Sequence, residues 1–151
     1  MVTALGAVVL DTNCYIRAMR SEPERLQLRQ FARIRATRLW VSSIVLAELR
    51  GGVRSGDDPE RLTRVVFEPW ADGTQVAVPG ALAWQLAGDA YARLRGHGDR
   101  SRMTRAFAFD VLLAATCAEQ ELTLVTHNVR DMGRIAEVIP FRFVPPYPGL
   151  N

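Results

Sequence analysis

The stretch VVLDTNCYI, residues 8–16, ends an apolar run with an aspartate. Asp11 is the only charged residue among the first sixteen, and the run before it has the continuous apolar character of a strand buried on both faces. An unpaired carboxylate at the end of a buried strand is costly unless something compensates for it. Asp11 is therefore the first candidate for a functional residue.

Two later apolar segments carry a lone carboxylate in the same way. Glu48 is the only charged residue in residues 39–49, and Asp110 is the only one in residues 106–118. A single residue of this kind is as readily explained by a solvated chain end or an ion pair as by function. Three in succession favour a functional acidic cluster.

Short apolar runs alternate with helical patterns along the chain. The predicted strands lie at residues 5–10, 39–41, 76–78, 122–126 and 141–144. This alternation predicts one α/β domain over residues 1–144, with a mainly parallel central sheet flanked by helices, and a C-terminal tail at residues 145–151. Because ligands bind beyond the carboxyl ends of parallel strands, the lone carboxylates are predicted to converge at one edge of the sheet.

A helix is predicted after residue 80. Trp84, Ala87, Tyr91 and Leu94 recur there at helical spacing. A stripe of this kind usually faces the core, so we predict that these side chains pack inward and do not form a patch for a partner.

Clustered carboxylates repel one another unless a cation lies among them. Because no histidine or cysteine has metal-binding spacing, an oxygen-only site is expected, which favours Mg²⁺ or Mn²⁺. Such ions bind phosphates and activate water, so phosphodiester hydrolysis is the natural chemistry. Asp11 would be a ligand and Asp110 a ligand or an orienter of water. Glu48 would act through a water or as a base.

Composition excludes several other kinds of protein. All nineteen basic residues are arginine, so mechanisms that need a lysine, such as those of receiver domains and haloacid-dehalogenase-type phosphatases, are disfavoured. No apolar run reaches about 18 residues, so no membrane span is expected. Cys14 and Cys117 are widely separated, which is typical of reduced thiols and a cytoplasmic protein.

Several segments in order resemble a known family. The segments LDTNCYI, SSIVLAELRGG, FDVLLAATCAEQELTLVTHNVRDM and FVPPYP are similar to those of PIN-domain ribonucleases, and within them to VapC-type toxins of type II toxin–antitoxin pairs. The likeness covers nearly the whole chain. It implies an endoribonuclease dependent on Mg²⁺ or Mn²⁺ that cleaves RNA, forms a homodimer and is inhibited by a cognate antitoxin.

The resemblance also implies roles for individual residues. The family's first three acids fall on Asp11, Glu48 and Asp110, as catalytic residues and metal ligands. Thr12 and Asn13 match the pair that supports the first acid. The position of the family's fourth acid differs in this sequence.

Many PIN domains have a fourth acid two residues after a threonine, but here Thr126 is followed at that position by Asn128. Asp131 comes three residues later, as in many VapC-like proteins. Either Asp131 completes the metal site or Asn128 contributes an amide oxygen, and we favour Asp131. The alternative for Asp131 is that it only caps a helix starting near Met132. The asparagine also leaves open an alternative function, a catalytically weak or inactive PIN-like module that binds RNA or a protein.

Arginines near the proposed site are candidates for contact with the RNA backbone. Arg102 and Arg105 belong to a basic segment before the Asp110 helix, and Arg130 lies near Asp131. Their ordinary interpretation is a solvated surface. Their position beside the acidic cluster favours phosphate binding as strongly.

Overall fold

The computed structural model describes residues 5–52, 58–96 and 103–150 and contains one five-stranded sheet. Its strands are β1 (Val8–Leu10), β2 (Leu39–Ser42), β3 (Val76–Ala77), β4 (Thr123–Val125) and β5 (Arg142–Val144). They lie in the order β3-β2-β1-β4-β5, and every pairing is parallel. The predicted α/β class with a parallel central sheet is confirmed.

Helices connect and cover the strands. They are α1 (Thr12–Arg20), α2 (Glu22–Ile34), α3 (Ser43–Gly51), α4 (Pro59–Leu62), α5 (Ala81–Gly96), α6 (Arg105–Gln120) and α7 (Val129–Ala136). A π-helical turn at Thr63–Phe67 and a 3-10 turn at Glu68–Trp70 follow α4. All three residues of β1 are completely buried although successive side chains point to opposite faces, so the helices cover both faces of the sheet at its centre.

The strand order reverses direction between β1 and β4. From β1 the chain builds outward through β2 to β3, and it then returns to the other side of β1 to form β4 and β5. The Asp11 amide donates to the Val125 carbonyl over 2.9 Å, which keeps the ends of β1 and β4 level. Open parallel sheets bind ligands in the crevice at such a switch point.

The starting points of α3 and α6 determine where their carboxylates, Glu48 and Asp110, lie. Ser42 ends β2 and caps α3 by accepting a hydrogen bond of 3.1 Å from the amide two residues on, which places Glu48 in the second turn of α3. Thr104 caps α6 in a similar way with a bond of 3.1 Å, and Asp110 follows in the second turn of α6.

The prediction for the face of α5 is partly wrong. This helix packs against α6, and its buried positions are Ala83, Ala87, Ala90 and Leu94. Trp84 is 61% exposed and Tyr91 is half-buried. Alanine side chains allow the two helices to approach closely, and this approach fixes a rotation of α5 that leaves the tryptophan outside.

The residues after β5 pack against the domain. Tyr147 is 3% exposed, and its ring centroid lies 5.3 Å from that of Phe31 on α2. The Leu150 amide donates to the Tyr147 carbonyl over 3.2 Å. No helix in the described ranges is both long and apolar enough to span a membrane.

A carboxylate of α6 caps the start of α5. Glu119 accepts hydrogen bonds from the Gly80 amide over 2.9 Å and from the Ala83 amide over 3.3 Å. Gly80 directly precedes α5 and Ala83 lies in its first turn, where amide donors otherwise lack partners. A Cβ atom at Gly80 would collide with the Glu119 carboxylate, so only glycine allows this close approach.

We predict that Glu119→Ala lowers the free energy of unfolding by about 1 kcal/mol, the usual cost of losing a helix cap. For a chain of this size the melting temperature should fall by about 2–4 °C per kcal/mol in thermal denaturation. Gly80→Ala should cost a similar amount alone but little more in the Glu119→Ala background. Fully additive effects of the two substitutions would contradict the proposed cap.

Candidate active site

The Asp11 carboxylate lies at the end of β1 and is 3% exposed. Its Oδ1 accepts a hydrogen bond from the Thr12 amide over 2.7 Å. Its Oδ2 accepts from the Thr126 hydroxyl over 2.7 Å and from the Asn13 side-chain amide over 3.2 Å. These donors fix the orientation of a carboxylate that has little contact with water, and they offset part of the cost of its burial.

The same donors tie the segment after β4 to the start of α1. The Thr126 hydroxyl accepts from the Asn128 amide over 2.9 Å and from the Asn13 side chain over 3.3 Å. The Asn13 side-chain oxygen accepts from the His127 amide over 3.1 Å. Thr126 is completely buried. Thr126 and Asn13 therefore hold the two strand ends in one fixed arrangement around Asp11.

Glu48 reaches this arrangement from α3. The Thr12 hydroxyl donates a hydrogen bond to Glu48 Oε2. Because the Thr12 amide also donates to Asp11, one residue holds both carboxylates. Glu48 is only partly buried, so part of its carboxylate is accessible to solvent.

Asp110 and Asp131 face an open pocket of about 550 Å³. The described residues that line it are Thr104, Ala106, Phe107, Asp110, Asn128, Arg130, Asp131 and Arg134. Neither Asp11 nor Glu48 is in this lining. The pocket thus brings Asp110 of α6 next to Asp131 of α7.

Asp131 is not the cap of a helix. Helix α7 begins at Val129, with Asn128 in the cap position, so Asp131 lies inside the first turn. The Asn128 side-chain nitrogen donates to Asp131 Oδ2 over 3.2 Å. This contradicts the cap alternative for Asp131 and leaves its carboxylate in the pocket.

Burial disfavours the charged form of Asp11, Glu48 and Asp110, and neighbouring negative charge adds to this effect at Glu48 and Asp110. Burial and the negative charges of Asp11, Glu48 and Asp131 raise the pKa of Asp110 to about 8. Burial also raises the pKa of Asp11, against the hydrogen bonds that it accepts. The pKa of Glu48 is raised by burial and by the charge of Asp11, against the bond from Thr12. The carboxylates predicted from separate segments therefore lie in one electrostatically coupled cluster.

The cluster fits a hard divalent cation. Its donors are oxygen atoms, and a cation would offset the negative charge that, together with burial, raises the pKa of Asp110. Among the described residues, no group of three or more Asp, Glu, His or Cys side chains is arranged to hold an ion by itself. Mg²⁺ usually binds one or two carboxylates directly and completes its shell with waters and phosphate oxygens. The arrangement suits that kind of binding better than a closed protein cage.

Two of the three arginines predicted from the sequence to contact RNA lie at or next to the pocket. Arg130 lines the pocket and is exposed. Arg105 is the first residue of α6 and is exposed, between two residues of the pocket lining but outside it. Arg102 lies outside the described residues. Arg134 also lines the pocket, and the sequence analysis missed it. Its spacing of three from Asp131 and four from Arg130 would have placed it on their face of the helix.

Comparisons with known proteins agree with this architecture. The chain matches the PIN domain family over residues 8–138. It is 30% identical to the tRNA(fMet)-specific endonuclease VapC of Salmonella typhimurium over 127 residues, which cover 84% of this chain and 90% of that protein.

Solved structures are similar over nearly the whole chain. The DNA-bound VapBC from Salmonella typhimurium has a TM-score of 0.70 and 26% identity, covering 93% of this chain and 98% of that one. VapBC2 from Rickettsia felis, bound to a promoter DNA fragment, has a TM-score of 0.65 and 22% identity, covering 92% and 98%. The chain belongs to the PIN domain family, and the resemblance to VapC-type toxins that its sequence indicated is confirmed.

Proposed function

We propose that the protein is a divalent-metal-dependent endoribonuclease that hydrolyses RNA phosphodiester bonds and serves as the toxin of a toxin–antitoxin pair. The observation that carries the proposal is the coupling of four carboxylates in the crevice at the ends of β1 and β4. A site that raises the pKa of Asp110 to about 8 calls for a cation. An open pocket of about 550 Å³, lined by Asp110 and Asp131, lies beside it.

The acids have distinct roles in this proposal. Asp11 and Asp110 are ligands, Asp131 completes the charge of the site, and Glu48 acts through a water or as a base. Mg²⁺ or Mn²⁺ bound there would position the phosphate, lower the pKa of an attacking water and stabilise the leaving oxygen. Glu48 is suited to take up a proton, because its pKa is raised and part of its carboxylate is accessible.

Polar neighbours keep the acids in place. Thr126 and Asn13 hold Asp11 by hydrogen bonds, and Thr12 holds Asp11 and Glu48 together. Because these donors are fixed by the fold, the carboxylates need little reorganisation when an ion binds. Arg130 and Arg105 are exposed beside the pocket and are suited to contact RNA phosphates.

The position of Asp131 argues against a module that only binds. The substitution that favours such a module is Asn128, which replaces the usual fourth acid. Asp131 lines the same pocket, and its charge contributes to the raised pKa of Asp110. The negative charge that Asn128 lacks is thus supplied three residues later, and the Asn128 side chain orients it.

Partners follow from the relatives. The similar structures are VapBC complexes, so we infer a cognate antitoxin for this chain, and the resemblance also implies a homodimer. Val78, Leu82 and Trp84 are large apolar side chains exposed at or before the start of α5, and they support a protein–protein contact there.

The specificity of the Salmonella relative makes tRNA(fMet) the first RNA to test. An RNA substrate and unpaired buried cysteines agree with a cytoplasmic protein.

We predict that the protein freed from any antitoxin cuts tRNA(fMet) or total RNA only when Mg²⁺ or Mn²⁺ is present. Asp110→Asn keeps the size of the side chain but removes its charge, and it should reduce the cleavage rate at least about 100-fold. Cleavage is measured on gels with end-labelled RNA, at equal protein concentration and with chelator as a reference.

Asp89→Asn is the matched control, because Asp89 is an exposed aspartate on α5 outside the pocket. It should cut like the wild type. Thermal unfolding of both variants shows whether they remain folded. Wild-type activity in Asp110→Asn would disprove the assigned site, and cleavage that persists in chelator would disprove the metal dependence.

The raised pKa of Asp110 also predicts how stability depends on pH. Its usual value is 3.8 and its value in the fold is about 8, so the fold favours the protonated form. The stabilisation from this group is complete at pH values below its usual pKa and disappears as the pH rises through about 8. The shifts of Asp11 and Glu48 have the same sign.

We therefore expect the melting temperature of the metal-free wild type to fall between about pH 4 and about pH 8. Asp110→Asn should fall less over this range, by at least about 2–4 °C, which corresponds to 1 kcal/mol in a chain of this size. Added Mg²⁺ should restore the wild type at high pH but have less effect on the variant. Equal slopes for the two proteins without metal would show that the fold does not raise the pKa of Asp110.

A further inference from the structure

Arg134 lies on the pocket side of α7. It follows Arg130 by four residues and Asp131 by three, a spacing that places all three on one helical face. All three line the pocket that also holds Asp110. Arg134 is partly exposed, so its side chain contributes to the pocket surface.

An aromatic ring supports the Arg134 guanidinium. Its central carbon lies 5.5 Å from the centroid of the Phe107 ring, which also lines the pocket and is buried. A cation–π contact directs the guanidinium without neutralising its charge. Within the described part of the chain, the ion pairs do not include Arg134, although two carboxylates line the same pocket.

The guanidinium has an unused donor. Its Nη1 is buried and has no hydrogen-bond partner among the described residues. A buried donor without an acceptor is costly and usually indicates a missing water, ion or ligand. Phosphate oxygens suit an arginine well, since, like those of a carboxylate, they accept two parallel hydrogen bonds from its planar guanidinium.

The negative and positive side chains of the pocket can therefore bind different ligands. The carboxylates of Asp110 and Asp131 remain free to interact with a cation, because Arg134 rests on Phe107 and does not pair with them. The arginine keeps its positive charge a short distance from the acidic cluster. A negatively charged polymer that approaches the cluster would meet this charge in the same pocket.

We propose that Arg134 binds a backbone phosphate of the RNA substrate beside the acidic cluster and so positions the strand for cleavage. This deepens the proposed function and rests on it for the identity of the ligand. The residue acts by contact with the substrate. Its loss should therefore weaken RNA binding even when no cleavage takes place.

The test is a binding measurement with full-length protein. Arg134→Met is made in the Asp110→Asn background, and binding of fluorescently labelled tRNA(fMet) is followed by anisotropy without divalent ions at several salt concentrations. We expect affinity to fall about 10- to 100-fold. The slope of log K against log salt should become shallower by about 0.7–0.9, the change expected for one lost phosphate contact.

Arg33→Met is the matched control, because Arg33 is an exposed arginine in the last turn of α2. It should leave both affinity and slope unchanged. Arg134→Lys should restore the salt slope and part of the affinity, because it keeps the charge but loses the fork of donors. If Arg134→Met does not fold, Arg134→Gln replaces it in the same assay. Unchanged affinity and slope in the folded variant would overturn the proposal.

Activity separates this inference from the proposed function. In the active enzyme, Arg134→Met should lower kcat/KM for RNA about 10- to 100-fold, and Arg33→Met should not. If the wild type cuts RNA and Arg134→Met cuts equally well, the inference fails while the nuclease stands. If the wild type cuts no RNA but the salt slope still depends on Arg134, the nuclease fails while the phosphate contact stands.

Discussion

The hydrogen bond of 2.7 Å between the Thr126 hydroxyl and the Asp11 carboxylate joins the ends of β1 and β4. It forms because the strand order places these two strands side by side, with their carboxyl ends level. The bond crosses the switch point of the sheet, where parallel folds bind ligands. Asn13 and Asn128 attach to the same hydroxyl, so one buried residue fixes both sides of the crevice.

This arrangement makes the site electrostatically unstable without a cation. Asp11 is held in place by several donors and cannot move away from Glu48, which Thr12 ties to it. Asp110 is largely buried and also faces the negative charge of these acids and of Asp131, and together these raise its pKa to about 8. A hard cation would relieve this repulsion, and an RNA phosphate could then supply oxygen ligands that the protein leaves free on the ion. The repulsion among the carboxylates therefore favours binding of the cation that the proposed hydrolysis needs.

Much of this could be predicted from the sequence. A buried strand and a helix have different apolar patterns, so the parallel α/β fold followed from the alternation of elements. Asp11, Glu48 and Asp110 stood out because each is the only charge in an apolar segment. Their convergence followed from the rule that places ligands at the carboxyl ends of strands.

Other features depend on packing that one sequence does not reveal. Trp84 matched an apolar stripe, but the alanines of α5 set the helix rotation and leave it exposed. The spacing of Arg134 from Asp131 indicates a shared helical face, but its contact with Phe107 on another helix has no signal in the local sequence. The start of α7 at Val129, three residues before the expected position, decides that Asp131 is not a cap. For Trp84 and Arg134, a contact between distant segments made the difference.

The most direct test of the central claim is to locate Mn²⁺ in crystals of the protein by anomalous diffraction. We expect a peak in the crevice between β1 and β4, at coordination distance, about 2 Å, from oxygens of Asp11 or Asp110. Asp131 and Glu48 should lie in the same shell or one water away. Crystals in which Mn²⁺ binds only elsewhere, while the acidic cluster binds none at saturating concentration, would contradict it.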